Sequence, residues 1–449
     1  MRLRGATALS AALAFLVTLA IASAVGPFYR SFYLFEININ EAWYLYHAKA
    51  LLTGEPLYPP LQTLITNNYP PLSFYALAGI MRVTEHPIWA ARLFSFAALT
   101  AITALIYFTL RRLSVGQLFS AIAAVAYFAT MNRTADRWVW VNDFQLMAQA
   151  IMLAGFYWFL TKPGTPRDYP GPTFVMVIAG FFKNNLIGFP LATLVISFRR
   201  GWKPGLVFVL SGLLFSAAGL AACWCFFGPD FFANLLWPRP WSAIRSLKAF
   251  EDIGRVPVQT VAWVIYAALN RDGKRGQLIN TVAFSTAFEN VVTRGSDEVH
   301  YNAGFDFIIA VHMAFGCALN SAADLLSSFR INQSLVAAVV VLLISCRLLF
   351  GDADDAFHVL YRGSYRDRIK TADAVTMTEV DRVRSIPGAV FCAETLICYL
   401  AGKPFVVDPI NVFLRMKVGV LPPDTLARRY ASGSLTFVPV NQYAVVGNR

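Results

Sequence analysis

The chain has 449 residues, of which 57% are hydrophobic and only 14% are charged, and its mean hydropathy is +0.52. A soluble globular domain carries about 25% charged residues, so this composition excludes an ordinary soluble protein. The formal net charge of +12 comes from 38 lysines and arginines against 26 acidic residues. These basic residues lie in loops between apolar stretches, so we expect membrane topology rather than a nucleic-acid partner to explain them.

Successive apolar stretches along the chain predict membrane-spanning helices, because a span needs about 20 predominantly apolar residues. In chain order the predicted spans are residues 6–25, 88–110, 115–131, 144–160, 174–198 (two short spans in a hairpin), 206–227, 258–269, 278–292, 305–319 and 335–350. The sequence therefore predicts an all-α polytopic membrane domain over residues 1–350, with about 11 transmembrane helices.

The amino-terminal segment has two interpretations. Basic residues, an apolar run and the triplet Ala22-Ser23-Ala24 are typical of a signal peptide. The apolar run is about 20 residues, longer than the roughly 7 to 15 of a signal peptide, so a retained first span is expected. Tight basic clusters follow even-numbered spans at Arg111/Arg112, Arg199/Arg200 and Arg271/Lys274/Arg275. By the positive-inside rule these loops and the amino terminus are cytoplasmic, in a multi-pass protein of the inner membrane.

The tail, residues 351–449, has a different character and falls outside the membrane on the same topology. Residues 389–392, 405–407 and 435–440 are predicted strands, and residues 394–400 a helix that Gly402 ends. The tail is therefore predicted to be a small extracytoplasmic α/β domain. Cys392 and Cys398 lie in it, either as a disulfide or as free thiols, and no Cys-x-x-Cys pair indicates zinc.

The first outer loop, residues 28–86, combines carboxylates, asparagines and aromatic residues. Glu36, Asn40 and Glu41 precede a helix-like run over residues 42–52, which Gly54 and Pro56 end. A second short amphipathic segment follows Tyr69. Tryptophan and tyrosine favour the membrane–water interface, so the loop is predicted to lie flat on the membrane as two interfacial helices.

The order of three motifs in this region resembles that of the GT-C-fold membrane glycosyltransferases, the superfamily that includes mannosyltransferases and aminoarabinose transferases. The motifs are NEAWYLYHAKALLTGEPLY (40–58), YPPLSFYALAGIMR (69–82) and ARLFSFAALTAITALIYFTLRRL (91–113). The segments Asn142-Asp143 and FFKNNLIGFPLA (181–192) resemble that family's second acidic site and lysine-containing span. The tail stretch CAETLICYLAGKPFVVDPIN (392–411) resembles tails of bacterial members.

This resemblance implies a GT-C-like fold and transfer of a hexosyl or pentosyl group from a polyprenyl-phosphate donor. The acceptor would be a lipid, polysaccharide or protein of the cell envelope. The family usually has an Asp-Glu pair whose Asp is the base, whereas this chain has Asn40 followed by Glu41. Inverting transfer needs a carboxylate to take the acceptor proton, and asparagine cannot. Glu41, or Glu36 in its place, is therefore the predicted catalytic residue.

The departing phosphate also needs cations or hydrogen-bond donors. Cationic candidates in predicted outer loops are Arg133, Arg137, Lys183, Arg239, Arg245 and Arg294. Asn40, Tyr69 and Asp143 are predicted to complete the substrate-binding site between the first loop and these cations. Structural alternatives stay open: Glu41 as a helix-start carboxylate, Asp143 as a helix cap and the arginines as interfacial anchors.

Two further questions stay open on the sequence. Asp297, Glu298 and His300 form a polar loop that could hold a metal or an acceptor, so a divalent cation is neither assigned nor excluded. The competing function is a non-catalytic binder or transporter of lipid-linked glycans, which the loss of the aspartate at Asn40 favours. A transporter needs charged residues at mid-membrane, and apart from Lys183 the spans are apolar.

Overall fold

The computed structural model describes residues 2–237, 239–270, 273–328, 332–350 and 357–439. Its membrane part contains α1 (Arg2–Arg30), α2 (Asn40–Thr53), α3 (Leu72–Val83), α4 (Pro87–Arg112), α5 (Gln117–Thr134), α6 (Gln145–Thr161), α7 (Pro170–Phe182), α8 (Gly188–Arg200), α9 (Trp202–Phe227), α10 (Pro229–Leu236), α11 (Ala243–Ser246), α12 (Ala249–Arg255), α13 (Pro257–Leu269), α14 (Lys274–Arg294), α15 (Phe305–Ser328) and α16 (Gln333–Phe350). The tail contains α17 (His358–Tyr361), α18 (Gly363–Ser385), β1 (Val390–Cys392), α19 (Thr395–Leu400), α20 (Pro409–Lys417), α21 (Thr425–Ala431) and β2 (Thr436–Val438). Short 3-10 helices cover Pro166–Asp168 and Tyr301–Gly304.

Each predicted membrane span falls on a helix of the structure, which confirms the all-α fold class. Among the described residues, five segments are both long and apolar enough to cross a membrane: Thr7–Arg30, Pro87–Arg112, Trp202–Phe227, Tyr301–Leu326 and Gln333–Phe350. The remaining helices at predicted spans are shorter or more polar, so the number of about 11 spans stays a prediction. Arg271, in the third basic cluster, lies outside the described residues.

The helices pack around α15, which is almost entirely buried. Helix α1 lies against α5 and α16, α6 lies between α4 and α7, and α14 lies between α8 and α15. Large apolar side chains on the outer helix faces, such as Leu213, Leu214 and Phe288, remain exposed. An apolar outer face is the arrangement expected where lipid is the solvent.

The break between α7 and α8 presents Lys183 from the end of a helix. Lys183 has extended backbone angles, φ −152° and ψ 124°, which end α7. The Glu289 carboxylate accepts hydrogen bonds from the backbone nitrogens of Ile187 at 2.9 Å and Gly188 at 3.0 Å. These bonds satisfy amides at the start of α8, where a negative group is favoured. The sequence KNN therefore separates two helices, as the predicted hairpin required.

The aromatic side chains of the first loop have a different environment from the predicted one. Helix α2 begins at Asn40 and ends at Gly54, whose φ of 77° is the left-handed conformation that glycine adopts without strain. Trp43, Tyr44 and Tyr46 are buried, because α2 packs between α3 and the tail helix α19. The aromatic side chains of α2 thus fill a protein core, and their predicted contact with the lipid interface is wrong; the orientation of α2 to the membrane stays a prediction.

The tail packs over α2. Strands β1 and β2 are parallel, with Val390 opposite Thr436, Phe391 opposite Phe437 and Cys392 opposite Val438. The predicted strands at residues 389–392 and 435–440 are found, although Val440 lies outside the described residues. The predicted strand at residues 405–407 is wrong, because that segment is irregular. It instead supplies the Phe405 ring, which stacks on Tyr46 with centroids 4.6 Å apart.

The two tail cysteines are paired. Cys392 and Cys398 form a disulfide that joins the end of β1 to α19, with their Cα atoms 5.7 Å apart. Since α19 packs on α2, this disulfide holds in place the tail segment that contacts the first loop.

Candidate active site

A cavity of about 710 Å³ lies where the first loop, the α7–α8 break and the tail meet. Asn40 and Trp43 of α2, Lys183, and Asp408 and Asn411 of the tail contribute to its wall. The rest of the wall includes Tyr69, Arg137, Trp237, Arg239, Glu298 and His300. Segments distant in sequence thus enclose one polar and aromatic space, large enough for a small-molecule substrate.

Lys183 is the most deeply buried cation of this cavity. Its Nζ donates to the Tyr44 hydroxyl at 3.0 Å and to Asp143 Oδ1 at 3.1 Å, and it lies 4.0 Å from the centroid of the Tyr69 ring. The ion pair and the aromatic face explain how a buried ammonium is tolerated here. An anion that enters the cavity would therefore meet a preorganised cation.

Asp143 supports this wall from behind. Its Oδ2 accepts a hydrogen bond from Asn40 Nδ2 at 3.2 Å, and its Oδ1 accepts one from the Gln145 backbone nitrogen at 2.9 Å. Asp143 does not line the cavity, but it holds Asn40 and Lys183, which do. The cap interpretation and the site interpretation of Asp143 are therefore compatible.

Glu41 lies on the side of α2 away from the cavity. Arg92 binds its two oxygens through Nε and Nη2, each at 2.7 Å, and both side chains are fully buried. The backbone nitrogens of Ile37 and Asn142 donate to the same carboxylate at 3.0 and 3.1 Å. These four donors occupy the roughly four lone-pair sites of a carboxylate. Our prediction of Glu41 as the base is corrected: its carboxylate is an internal anchor.

Glu36 is also absent from the cavity wall. Its Oε2 accepts a hydrogen bond from the Leu396 backbone nitrogen at 3.2 Å, which connects the first loop to α19. Burial raises the pKa of Glu36 well above its usual value. The structure therefore does not bring this reserve base into the cavity wall, and its catalytic role stays a prediction.

The predicted arginines divide into two groups. Arg137 and Arg239 line the cavity, and Arg239 Nη2 lies 3.4 Å from Asn411 Oδ1. Arg133 instead donates to the Leu348 carbonyl at 2.8 Å, and Arg245 donates to the Gly295 carbonyl at 3.1 Å. Neither Arg133 nor Arg245 lines the cavity, so their predicted substrate contact is corrected to a role in helix and loop packing.

The polar loop after α14 is partly engaged elsewhere. Asp297 pairs with Lys417 and lies 3.7 Å from Arg245. Arg294 pairs with Glu251, and its Nε lies 3.7 Å from Asp252. Glu298 and His300 do reach the cavity. Within the described parts of the chain, no group of three His, Cys, Asp or Glu side chains is arranged to hold a metal.

Two residues near the site, Arg92 and Asp408, were not predicted from the sequence. Arg92 stands in an apolar predicted span, and a charge there indicates a buried partner, so this signal was available. Asp408 begins α20 ahead of Pro409, a pattern that predicts a helix cap and nothing more. In the structure Asp408 is 1% exposed, lines the cavity and accepts a hydrogen bond from Trp43 Nε1 at 2.9 Å.

The hydrogen bonds of Asp408 fix its carboxylate. Asn411 donates to Oδ1 through its backbone nitrogen at 3.0 Å and to Oδ2 through Nδ2 at 2.7 Å. Burial raises the pKa of Asp408, and the hydrogen bonds from Asn411 and Trp43 and the charge of Arg239 oppose that shift. The cavity thus contains a preorganised carboxylate as well as cations.

The sequence matches no family model, and no curated protein matches it at a significant level. Solved structures do resemble it. ArnT from Cupriavidus metallidurans bound to undecaprenyl phosphate gives a TM-score of 0.56 at 14% identity, over 92% of this chain and 91% of that chain. The apo state of the same ArnT gives 0.57 at 13% identity, over 93% and 94%.

An archaeal structure has the same architecture at lower similarity. The apo oligosaccharyltransferase of Archaeoglobus fulgidus gives a TM-score of 0.51 at 12% identity, over 89% of this chain and 65% of that chain. At these identities the likeness concerns the fold alone. Together with the apolar helices, it identifies this chain as a multi-pass membrane protein with the GT-C fold, as the order of its motifs predicted.

Proposed function

We propose that the chain is an integral membrane glycosyltransferase that moves a sugar from a polyprenyl-phosphate donor to an extracytoplasmic acceptor. The observation that carries this proposal is the position of Lys183: a buried cation, backed by Asp143 and flanked by Tyr44 and Tyr69, lines the cavity. A sugar phosphate needs such a positive group where charge develops on the leaving oxygen.

The other cations of the wall fit the same ligand. Arg137 and Arg239 can contact phosphate or hydroxyl groups, and the guanidinium geometry suits a phosphate bidentately. Asn40 and Tyr69 supply an amide and an aromatic face beside Lys183. One of the similar structures, ArnT from Cupriavidus metallidurans, is bound to undecaprenyl phosphate, which supports a lipid phosphate as the donor class.

We further propose that residues 1–350 form the membrane domain and that residues 351–449 form an extracytoplasmic domain, with the amino terminus in the cytoplasm. The disulfide between Cys392 and Cys398 supports this orientation, because disulfides persist in oxidising compartments outside the cytoplasm. The sugar would be a hexose or a pentose, and the acceptor a lipid, polysaccharide or protein of the envelope.

A second function, binding of lipid-linked glycans without chemistry, is favoured by two observations. The position where the family carries its catalytic aspartate is Asn40, and the neighbouring Glu41 is held entirely by Arg92 and backbone amides. A binder would use the cavity and Lys183 in the same way but would release no sugar.

The decisive experiment measures binding and sugar release by the purified full chain with a polyprenyl-phosphate-linked labelled hexose or pentose. The double variant Lys183→Met/Asp143→Asn removes the cation without leaving a buried charge unpaired. We expect it to lose donor affinity about 10-fold to 100-fold, because a charged hydrogen bond contributes about 1.5–3 kcal/mol. The control is Lys203→Met, which changes an exposed lysine of α9.

The outcomes separate the two functions. The transferase is supported if the wild type releases labelled sugar and if the double variant binds the donor more weakly while Lys203→Met does not. Tight binding of the labelled lipid without any release supports the binder. Absence of both binding and release with every donor would overturn the proposed use of this cavity.

A further inference from the structure

We infer that Asp408, which the tail contributes to the cavity, is the catalytic base that takes the proton of an acceptor hydroxyl. This inference rests on the proposed transferase function and names the residue that replaces the missing aspartate. Its basis is the position of Asp408 in the cavity wall, directly against helix α2 of the first loop.

The position of Asp408 relative to Asn40 carries the first step. Asn40 and Trp43 are three residues apart on α2, so they lie on neighbouring positions of one helix face, and both line the cavity. Trp43 Nε1 donates to Asp408 Oδ2 at 2.9 Å. The cavity therefore contains a carboxylate held by Trp43, the side chain one helical turn along α2 from the position where the sequence has lost one.

The other acids near this site are less suited to the task. Of the carboxylates in the described parts of the chain, Asp408 and Glu298 line the cavity, whereas Glu41, Glu36 and Asp143 do not. Glu298 has a half-exposed side chain, 48% accessible, at the edge of a loop. Asp408 is buried and held from two sides, which is the preorganisation that a catalytic group needs.

Hydrogen-bond capacity distinguishes Asp408 from Glu41. A carboxylate has about four lone-pair sites. Arg92 and two backbone amides occupy all of them in Glu41. Asp408 accepts three hydrogen bonds, one from Trp43 and two from Asn411, which leaves about one site for a hydroxyl in the cavity.

Lys183 and Asp408 reach the cavity wall from different segments, the α7–α8 break and the tail, and an inverting displacement needs two such separate groups. In such a reaction the acceptor attacks the face of the anomeric carbon opposite the departing phosphate, so base and phosphate-binding cation lie on different sides. Asp143 is bonded directly to Lys183 and falls on the phosphate side. A series of contacts connects the two groups: Lys183 Nζ lies 4.0 Å from the centroid of the Tyr69 ring, that centroid lies 5.3 Å from the Trp43 ring centroid, and Trp43 donates to Asp408.

The proposed step balances without a further reactant. The acceptor oxygen forms a bond to the anomeric carbon while the bond from that carbon to the phosphate oxygen breaks. The electron pair leaves with the polyprenyl phosphate beside Lys183, and the acceptor proton passes to the Asp408 carboxylate. Burial raises the pKa of Asp408, which strengthens it as a base, while Arg239 and Arg415 are the cations that favour its charged form.

A purely structural role is the competing interpretation, because Asp408 also caps α20. The variant Asp408→Asn separates the two roles. Asparagine caps helices about as well as aspartate and cannot take a proton, but its single amide oxygen can keep either the cap bond from the Asn411 backbone or the bonds from Trp43 and Asn411 Nδ2. The matched control is Asp424→Asn, at the start of α21 in the same tail, where the carboxylate is exposed and pairs with Arg428.

The experiment uses the purified full chain with a labelled polyprenyl-phosphate sugar, and with water and glycerol as acceptors. We expect Asp408→Asn to slow sugar release about 100-fold to 10,000-fold, the usual contribution of a general base. Donor Kd should stay close to that of the wild type, and Tm should fall only slightly, as expected for the loss of one or two hydrogen bonds. Asp424→Asn should match the wild type in rate, Kd and Tm.

Three outcomes would overturn the inference. One is a rate within about threefold of wild type for Asp408→Asn, which is far below the effect of losing a general base. Another is a loss of donor binding in that variant as large as its loss of rate, which would indicate that Asp408 only supports the structure of the site. The third is a large loss of rate in Glu298→Gln with none in Asp408→Asn. A wild type that binds donor but releases no sugar would instead defeat the proposed transferase itself.

Discussion

Glu41 and Asp408 are two buried carboxylates on opposite sides of helix α2, and their surroundings differ in one decisive respect. Both are at most 1% exposed. Glu41 is bound by the Arg92 guanidinium and two backbone amides, whereas Asp408 is bound by neutral donors and faces a cavity. The comparison shows that burial alone does not indicate function: the number and charge of the donors decide whether a carboxylate can still accept a proton.

The largest effect is expected from replacing Arg92, the buried counter-charge of Glu41. Arg92→Met leaves a buried carboxylate without its counter-charge and should destabilise the protein by about 3–5 kcal/mol. The measurement is the yield and Tm of detergent-solubilised protein. Arg92→Met/Glu41→Gln should recover much of the loss, because it leaves no unpaired charge. Arg382→Met, at an exposed ion pair with Glu379, is the control. Normal stability of the single variant would contradict the anchor role.

A third buried carboxylate, Asp252, extends the comparison to pH. Burial raises its pKa to about 6, against the charges of Arg294 and Arg255. The folded state therefore keeps a proton that the unfolded chain has lost above about pH 4. The free energy of unfolding should fall by up to about 3 kcal/mol as pH rises from about 4 to about 6, and then level off.

The pH prediction is measured as Tm of the wild type minus Tm of Asp252→Asn. This difference should be largest near pH 4 and should shrink through pH 6, because the variant has no group to titrate. A difference that grew with pH would mean that the ion pairs of Asp252 outweigh its burial.

The next prediction concerns the tail, which contributes Asp408, and the stability that its disulfide provides. Cys398→Ser opens the bridge to Cys392, which closes a loop with a sequence separation of 6 residues. For so short a loop the expected loss is about 2 kcal/mol. Reductant should lower the Tm of the wild type to that of Cys398→Ser and should leave the Tm of the variant unchanged. The control is Cys346→Ser, at a free and exposed cysteine, and an insensitive wild type would refute the bridge.

The smallest effect on stability is expected from replacing Trp43, the residue of α2 that donates a hydrogen bond to Asp408. Trp43→Phe keeps an aromatic ring but removes one hydrogen bond to the carboxylate, a loss of about 1.5 kcal/mol. Trp89→Phe is the matched control, because within the described structure the Trp89 indole nitrogen has no hydrogen-bond partner. Sugar release should fall in Trp43→Phe more than in Trp89→Phe, and equal rates would mean that this bond does not position Asp408.

Much of the fold could be predicted because its signals are local. Apolar runs coincide with helices, the polar triplet Lys183-Asn184-Asn185 separates α7 from α8, and Gly54 and Gly402 follow the ends of α2 and α19. Each of these features depends on residues a few positions apart. The segment 405–407 was misjudged for the same reason, since β-branched and aromatic residues predict a strand whether or not a partner strand is beside them.

The site could be predicted only in part, because its wall joins segments far apart in the chain. Asn40, Tyr69, Lys183, Arg137 and Arg239 were predicted and line the cavity. The direction of Glu41 could not be foreseen, since it depends on Arg92, 51 residues away. The contact between Trp43 and Asp408 spans 365 residues, and no local pattern encodes it.

By itself, the sequence determined that this chain is a helical membrane protein with a polar, aromatic first loop, because apolar length and charge placement act over one helix at a time. Only the tertiary structure decided that the aromatic side chains of α2 are buried against α3 and the tail. It also decided which carboxylates face the cavity. The physical reason is that a side chain's partners, and with them its charge and its remaining hydrogen-bond capacity, come from whichever distant segments pack against it.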